Sequence, residues 1–214
     1  GGQYLVGGLP WILDANLGNG KAGPGLGTGN VFRLNSAAQP IGAYQYRELK
    51  PESVTSYEIG YKGLIAKKLM VDAYYYTGEY QNFIARTLVG KKISATQTQI
   101  YSIVENAATM SSETNGSVKI DPVKVKTSGF GASLDYRLTS GLSFFINYYH
   151  DKLGNVPQDF DAQFNTPKHR INFGLGHSGF GKDKRVVFNV NGRWQSAFMW
   201  NADFATGEVP AFFT

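Results

Sequence analysis

The sequence predicts an all-β fold: about six antiparallel strands forming a segment of a transmembrane β-barrel. Three observations point there. Apolar and polar residues alternate with a period of two over long strands. Short and long connections are sorted to opposite ends of those strands. Finally, no run approaches the ~18 apolar residues a transmembrane helix needs.

The strands are read at Val54–Leu64, Lys68–Asn82, Val125–Leu138, Leu142–Asp151, Lys168–His177 and Lys184–Ser196. In the first, Thr55, Tyr57, Ile59, Tyr61 and Gly63 share one face, and Ser56, Glu58, Gly60 and Lys62 the other. The second sets Leu69, Val71, Ala73 and Tyr75 against Met70, Asp72, Tyr74 and Tyr76. The third sets Phe130, Ala132, Leu134 and Tyr136 against Gly131, Ser133, Asp135 and Arg137. Leu142, Phe144, Ile146 and Tyr148 continue the apolar face, followed by Ile171, Phe173 and Leu175, then Val186, Phe188, Val190 and Trp194. The wet face gathers Glu58, Lys62, Asp72, Asp135, Arg137, Arg170 and Arg193. Several strands reach ten residues, beyond the globular norm of about five or six but suited to a tilted membrane strand.

Short connections fall at Ala66-Lys67, Thr139-Ser140 and Gly179 to Asp183, all at one end. Long ones, about Ile84–Lys124 and Lys152–Pro167, fall at the other, as does the segment before Val54. A β-sandwich has no reason to sort loops by length, whereas outer-membrane barrels combine short periplasmic turns with long extracellular loops. The expected organisation is an extracellular-type loop over 1–53, barrel strands over 54–196, and a second extracellular-type loop over 197–214 that leads towards a further strand pair.

Composition fits without deciding. The chain is 14% aromatic and 17% charged, with 26 Gly and a net charge of +5. Lys67-Lys68, Lys91-Lys92 and Lys182 to Arg185 read as solvated turns, so no nucleic-acid partner is expected. The absence of cysteine excludes a disulfide framework and thiolate metal sites. Gly1-Gly2-Gln3 opens directly into a Gly-rich segment. A secretory leader is therefore expected to have been removed already, or the true start to lie upstream.

Chemical motifs are weak. Gly18, Gly20 and Gly23 match G-x-G-x-x-G, but Pro24-Gly25 follows where a dinucleotide site needs a helix. His150, His169 and His177 all fall on the dry parity. His169 and His177 stand ~25 Å apart along one strand, so they read as rim residues and not as one metal site. Asp151, Asp159 and Asp161 lack a regular calcium-ligand spacing. No nucleophile–base pair stands out, and neither an enzyme nor a cofactor or metal site is expected.

Leu49-Lys50-Pro51-Glu52 followed by Tyr57-Glu58-Ile59-Gly60-Tyr61-Lys62 resembles the L-K-P-E-x-x-x-x-Y-E-x-G signature of TonB-dependent outer-membrane receptors. Val71 to Tyr76 with Asn82-Phe83-Ile84 is similar to the strand that follows it. Asn165-Thr166-Pro167-Lys168-His169 resembles the lead-in to a later strand. Trp194, Trp200, Val209-Pro210 and Phe212 look like the approach to the last ones. The flavour is that of Bacteroidetes-type receptors.

The resemblance implies a barrel of about 22 strands around a plug, in the Gram-negative outer membrane. It implies uptake of a scarce bulky nutrient, an iron–siderophore first and a glycan or cobalamin next. It also implies energy from the TonB complex, acting through an N-terminal plug. This chain is then expected to be a C-terminal barrel portion that neither transports nor stays soluble alone. The candidate ligand contacts are Trp11, Tyr44, Tyr46 and Arg47 in the first loop and Trp200 in the last. Glu58 is expected to meet Arg137 or Lys62 across the lumen face. Arg137, Arg170 and Arg193 are expected to pair with plug carboxylates or to guide an anionic chelate. Two other classes stay open on the residues: a small autonomous outer-membrane barrel acting as an adhesin or structural protein, and a soluble β-sandwich binding module.

Overall fold

The computed structural model describes residues 3–5, 31–44, 47–92, 94, 96–115, 117–138, 140–180, 182–201 and 206–214. In chain order the strands are β1 (Gln3–Leu5), β2 (Val31–Leu34), β3 (Pro40–Ala43), β4 (Ser53–Ile65) and β5 (Leu69–Gln81). Then come β6 (Ile84–Lys92), β7 (Thr98–Asn106), β8 (Ala108–Ser112), β9 (Val118–Pro122), β10 (Val125–Arg137) and β11 (Leu142–Gly154). The last are β12 (His169–Phe180), β13 (Val186–Gln195), β14 (Phe198–Asn201), β15 (Thr206–Val209) and β16 (Phe212–Phe213). No helix occurs among the described residues.

The six long strands read from the alternation are β4, β5, β10, β11, β12 and β13. They form one antiparallel meander in the order β16-β13-β12-β11-β10-β5-β4. Tight turns join them at one end. Ala66 and Lys67 both take positive φ (48° and 56°), the twist a primed hairpin turn requires between right-twisted strands.

At the other end the connections carry strands of their own, and here the structure departs from the sequence reading. The segments read as loops supply a five-stranded sheet, β1-β7-β6-β2-β3, and the hairpins β8–β9 and β14–β15. β16 begins a seventh strand on β13, with Thr214 and Arg193 exchanging backbone hydrogen bonds of 2.8 and 2.9 Å. The meander does not close on itself: β4 is an edge, and β13 meets only the two residues of β16.

Register assigns the faces. Tyr61, Ala73, Ala132, Tyr148, Ile171, Trp194 and Phe213 lie in one cross-strand row of the outer face. Above it run Ile59, Tyr75, Phe130, His150 and His169, and below it Val71, Leu134, Ile146 and Phe173. Among the described residues nothing packs over this face; Ile59 is 74% exposed and Val190 63%. That much bare aliphatic and aromatic surface is intolerable in water and ordinary against lipid. From Leu142 to His150 the strand climbs roughly 27 Å at the usual rise. Tilted by ~35–45°, that stretch spans about 19–22 Å, most of the ~25 Å apolar band of outer-membrane barrels. Aromatics rim the band: Tyr75, Phe130 and Tyr148 above, and Tyr136, Phe144 and a His177–Phe180–Phe188 stack below, with His177 and Phe180 centroids 3.8 Å apart.

The buried hydrophobic residues lie at the looped end. Val31, Val89 and Ile103 form one cluster in the five-stranded sheet. Ala85, Ala107, Val125 and Phe160 form another, packed by Tyr80 and Leu153, which seats that sheet on the inner side of the wall.

Glycines on β10 serve the inner face. Tyr74 and Tyr76 of β5 lie across Gly131 and Gly129, their cross-strand partners. A Cβ on Gly131 would stand 2.5 Å from the Tyr74 ring, which can rotate away. On Gly129 it would also stand 2.5 Å from the His150 carbonyl, which cannot. Gly129→Ala is therefore expected to cost about 1–3 kcal/mol of overpacking, and Gly131→Ala less. Urea unfolding of the lipid-reconstituted protein checks the order.

Candidate functional site

The inner face of the meander holds every lumen residue named from the sequence: Glu58, Lys62, Asp72, Asp135, Arg137, Arg170 and Arg193. Their partners differ from those expected. Glu58 stands opposite Tyr76, while Lys62 pairs with Asp72 at 3.2 Å and Arg137 with Asp135 at 3.5 Å. The Glu58–Arg137 contact does not form because the glutamate's row meets β10 at Gly129, eight residues from Arg137 at the turn end. These pairs are exposed to the lumen and contribute little to stability.

The stronger group is one the sequence reading missed as such. Asp151 takes an ion pair from Arg170 and a 2.6 Å hydrogen bond from the Tyr76 hydroxyl. Arg170 also lies over the Tyr149 ring, 5.6 Å from its centroid. Tyr74, Tyr149, Asn172 and Arg193 continue this polar, aromatic wall. Arg193 donates to Gln195 at 3.1 Å.

The looped end is organised around a buried carboxylate. Arg33 on β2 and Glu105 on β7 are 0% and 2% exposed and pair at 2.8 Å. The Tyr44 hydroxyl donates to Glu105 at 2.9 Å, and Arg47 donates to it at 3.2 Å and to the Asn106 carbonyl at 2.8 Å. The Arg33 guanidinium also sits 4.8 Å from the Tyr44 ring centroid. Burial first, and then the Glu105 charge, push the Tyr44 phenol well above its ordinary range, so it remains a donor. Tyr44 and Arg47 thus turn their polar atoms inward, on Glu105. Trp11 and Tyr46 lie outside the described residues.

The Leu49–Glu52 signature sits where the chain enters the wall. The Asn106 amide accepts from the Lys50 N–H (2.7 Å) and donates to the Lys50 carbonyl (2.9 Å) and the Asn82 carbonyl (2.6 Å). Glu52 accepts from the Ile84 N–H at 2.8 Å. The motif therefore clamps the start of β4 to the point where β5 leaves the wall.

The long β11–β12 connection docks on β6 through reciprocal Arg86–Asp161 backbone bonds of 2.9 and 2.8 Å. Between them opens a cleft of about 250 Å³, lined by Ser36, Arg86, Asp159, Asp161, Gln163 and Thr206 among others. Asp159 accepts from the Ser36 N–H at 3.0 Å. Asp161 accepts from the Gln163 N–H (2.9 Å) and the Asn201 amide (3.1 Å). Each acid has its own partners, and Asp151 belongs to the lumen group, so the three do not converge as a calcium set. Asn165 and Asn201 exchange bonds of 2.8 and 2.7 Å, which fixes β14; Trp200 on that strand is 45% exposed.

A bare apolar band on one face, a polar lumen on the other, tight turns at one end and a folded cap at the other define a membrane-spanning β-barrel wall. The sequence comparison is more specific. Residues 13–214 match the family described as TonB dependent receptor-like, beta-barrel. The chain belongs to that family, whose members are proteins of the Gram-negative outer membrane. Among solved structures it is similar to Pseudomonas aeruginosa FpvA bound to heterologous pyoverdines (TM-score 0.49, 14% identity, 85% of this chain). It is also similar to the copper transporter OprC (TM-score 0.46, 16% identity, 78% of this chain). It spans 22% of each of those two chains. No curated protein matches. The family assignment rests on the sequence match.

Proposed function

We propose that this chain forms part of the wall and outer cap of a TonB-energised importer for a bulky chelate, an iron–siderophore before a glycan or cobalamin. The observation that carries the reading is the polarised architecture: a lipid-facing wall with a polar inner face, crowned at one end only by a braced cap with a polar cleft. Family membership supports transport in general. Within the cap, Trp200 and the cleft residues Arg86 and Gln163 are the proposed ligand contacts, together with Trp11 and Tyr46. Tyr44 and Arg47 are proposed to hold the cap rigid by bracing Glu105. In the lumen, Arg170 is matched by Asp151 and Arg137 by Asp135. Arg193, held by an amide, is the proposed partner of a plug carboxylate. TonB would act through that plug.

Trp200→Ala in the full receptor is expected to weaken ligand binding by about 2 kcal/mol, roughly thirtyfold, as loss of an exposed aromatic anchor does. Tyr61→Ala, on the lipid face, should leave binding unchanged. Binding and energised uptake of ferric siderophores, oligosaccharides and cobalamin check the reading. Equal behaviour of the two variants towards every ligand would sink the cap assignment.

A further inference from the structure

Spacing along the chain argues against a metal site shared by the three histidines, because His169 and His177 lie towards opposite ends of β12. That distance holds, but the register supplies a different neighbour. His150 on β11 is the cross-strand partner of His169, and both face outward. Their Nδ1 atoms are 3.3 Å apart, with ring centroids at 4.8 Å. The Tyr148 hydroxyl, one position down β11 on the same face, lies 2.8 Å from the same His169 Nδ1.

Three polar atoms therefore converge on one place, and hydrogen bonding does not satisfy them well. An imidazole nitrogen has either one proton or one lone pair in its ring plane, so the His169 Nδ1 can serve only one of its two neighbours properly. A cation serves all three. For tetrahedral zinc with metal–nitrogen bonds of about 2.0–2.1 Å, two imidazole nitrogens stand roughly 3.3 Å apart, which is the separation found. Imidazole suits borderline divalent ions such as Zn²⁺ and Cu²⁺, and phenol oxygen is an acceptable third ligand.

The surroundings permit it. Phe130 stacks on His150 at 5.2 Å and Tyr148 on His169 at 6.1 Å, which limits ring rotation. The row above, Tyr57, Thr77, Ser128 and Lys152, is polar, so the pair sits at the edge of the apolar band, where water reaches. His177 is the natural control. It lies at the other end of the wall, with its Nδ1 accepting from the Gly179 N–H at 3.0 Å.

We propose that His150 and His169, with Tyr148 as a third donor, form a divalent transition-metal site on the outer rim of the barrel wall. The test is titration of the purified, detergent-solubilised receptor with Cu²⁺ alone, read by EPR, with Zn²⁺ as competitor. One equivalent with a two-imidazole signature, displaced by Zn²⁺, is expected. His150→Gln and His169→Gln should each weaken that equivalent at least about tenfold, the least that losing even an outer-shell partner costs. Glutamine roughly keeps the side chain's length, and heat-modifiable gel migration checks that each barrel is folded. His177→Gln should change nothing. Tyr148→Phe should keep both imidazole couplings while weakening binding. A wild-type receptor without the two-imidazole signature, or glutamine variants that retain it at full affinity, would overturn the site.

Discussion

Replacing Glu105 by alanine is expected to open the cap while leaving the wall intact. Glu105 is the hub for Arg33, Tyr44 and Arg47, which reach it from β2 and the segment after β3, about sixty or more residues away in the chain. Removing it strands the Arg33 guanidinium, which is 0% exposed and, among the described residues, keeps the Met110 sulfur at 3.3 Å and the face of the Tyr44 ring. Deleting one partner of a buried ion pair typically costs about 3–5 kcal/mol, because the remaining charge is unpaired in a poorly polarisable place. The loss should be local. Among the described residues, no side chain of β4, β5, β10 or β11 hydrogen-bonds to Glu105, Arg33, Tyr44 or Arg47, so amide exchange should accelerate in β2, β3 and β7 and stay slow in β10 and β11. Glu105→Gln keeps an acceptor but not the charge, and should fall between the two. If β2 and β7 exchange as slowly in Glu105→Ala as in the parent, the hub is not what holds the cap.

The second large effect separates the two faces of one strand. Leu134 and Ser133 are neighbours on β10, but Leu134 sits in the outer row with Val71 and Ile146 and Ser133 in the inner row with Asp72 and Asn147. Arginine at 134 must sit in hydrocarbon near mid-band. Leu134→Arg should cost about 2–4 kcal/mol in folding into phospholipid bilayers, the usual penalty at that depth. Ser133→Arg meets water and the Asp72 carboxylate, and should cost well under 1 kcal/mol, as a solvated charge normally does. Equal penalties would mean that both faces see the same medium.

The wall was legible in the sequence, and the cap was not, for a physical reason. The six long strands each have one face against lipid and one against the lumen, so their period-two pattern is unbroken. In β7 the buried parity reads Tyr101, Ile103, Glu105, and a buried glutamate looks like a polar loop position unless its partner is known. That partner, Arg33, lies 72 residues earlier. β6 fails similarly: Ala85, Thr87 and Val89 are buried together, with Thr87 breaking the apolar run. Short strands such as β3 and β14, four residues each, offer too few positions for a period to register.

The site divided in the same way. The parity that sorted Glu58, Lys62, Asp72, Asp135, Arg137, Arg170 and Arg193 to one face needed only local sequence. Which acid meets which base depends on register, and register was not legible. Asp151, the last residue expected on its strand, ends up between Tyr76 and Arg170 because register sets it in one row with Gly129 and Tyr76. The His150–His169 contact was hidden for the same reason. Spacing along the chain reports distance within a strand, and nineteen residues of separation become adjacency only once β11 and β12 are paired.

The central claim is that the apolar face meets lipid and the polar face a lumen. Single cysteines placed at positions 130 to 136 of β10 test it most directly, since this chain contributes no cysteine of its own. Each is labelled with an environment-sensitive fluorophore in the receptor, reconstituted with brominated lipids. Quenching should alternate, strong at Phe130, Ala132, Leu134 and Tyr136 and weak at Gly131, Ser133 and Asp135. Uniformly weak quenching, or the opposite parity, would contradict a membrane wall facing as described.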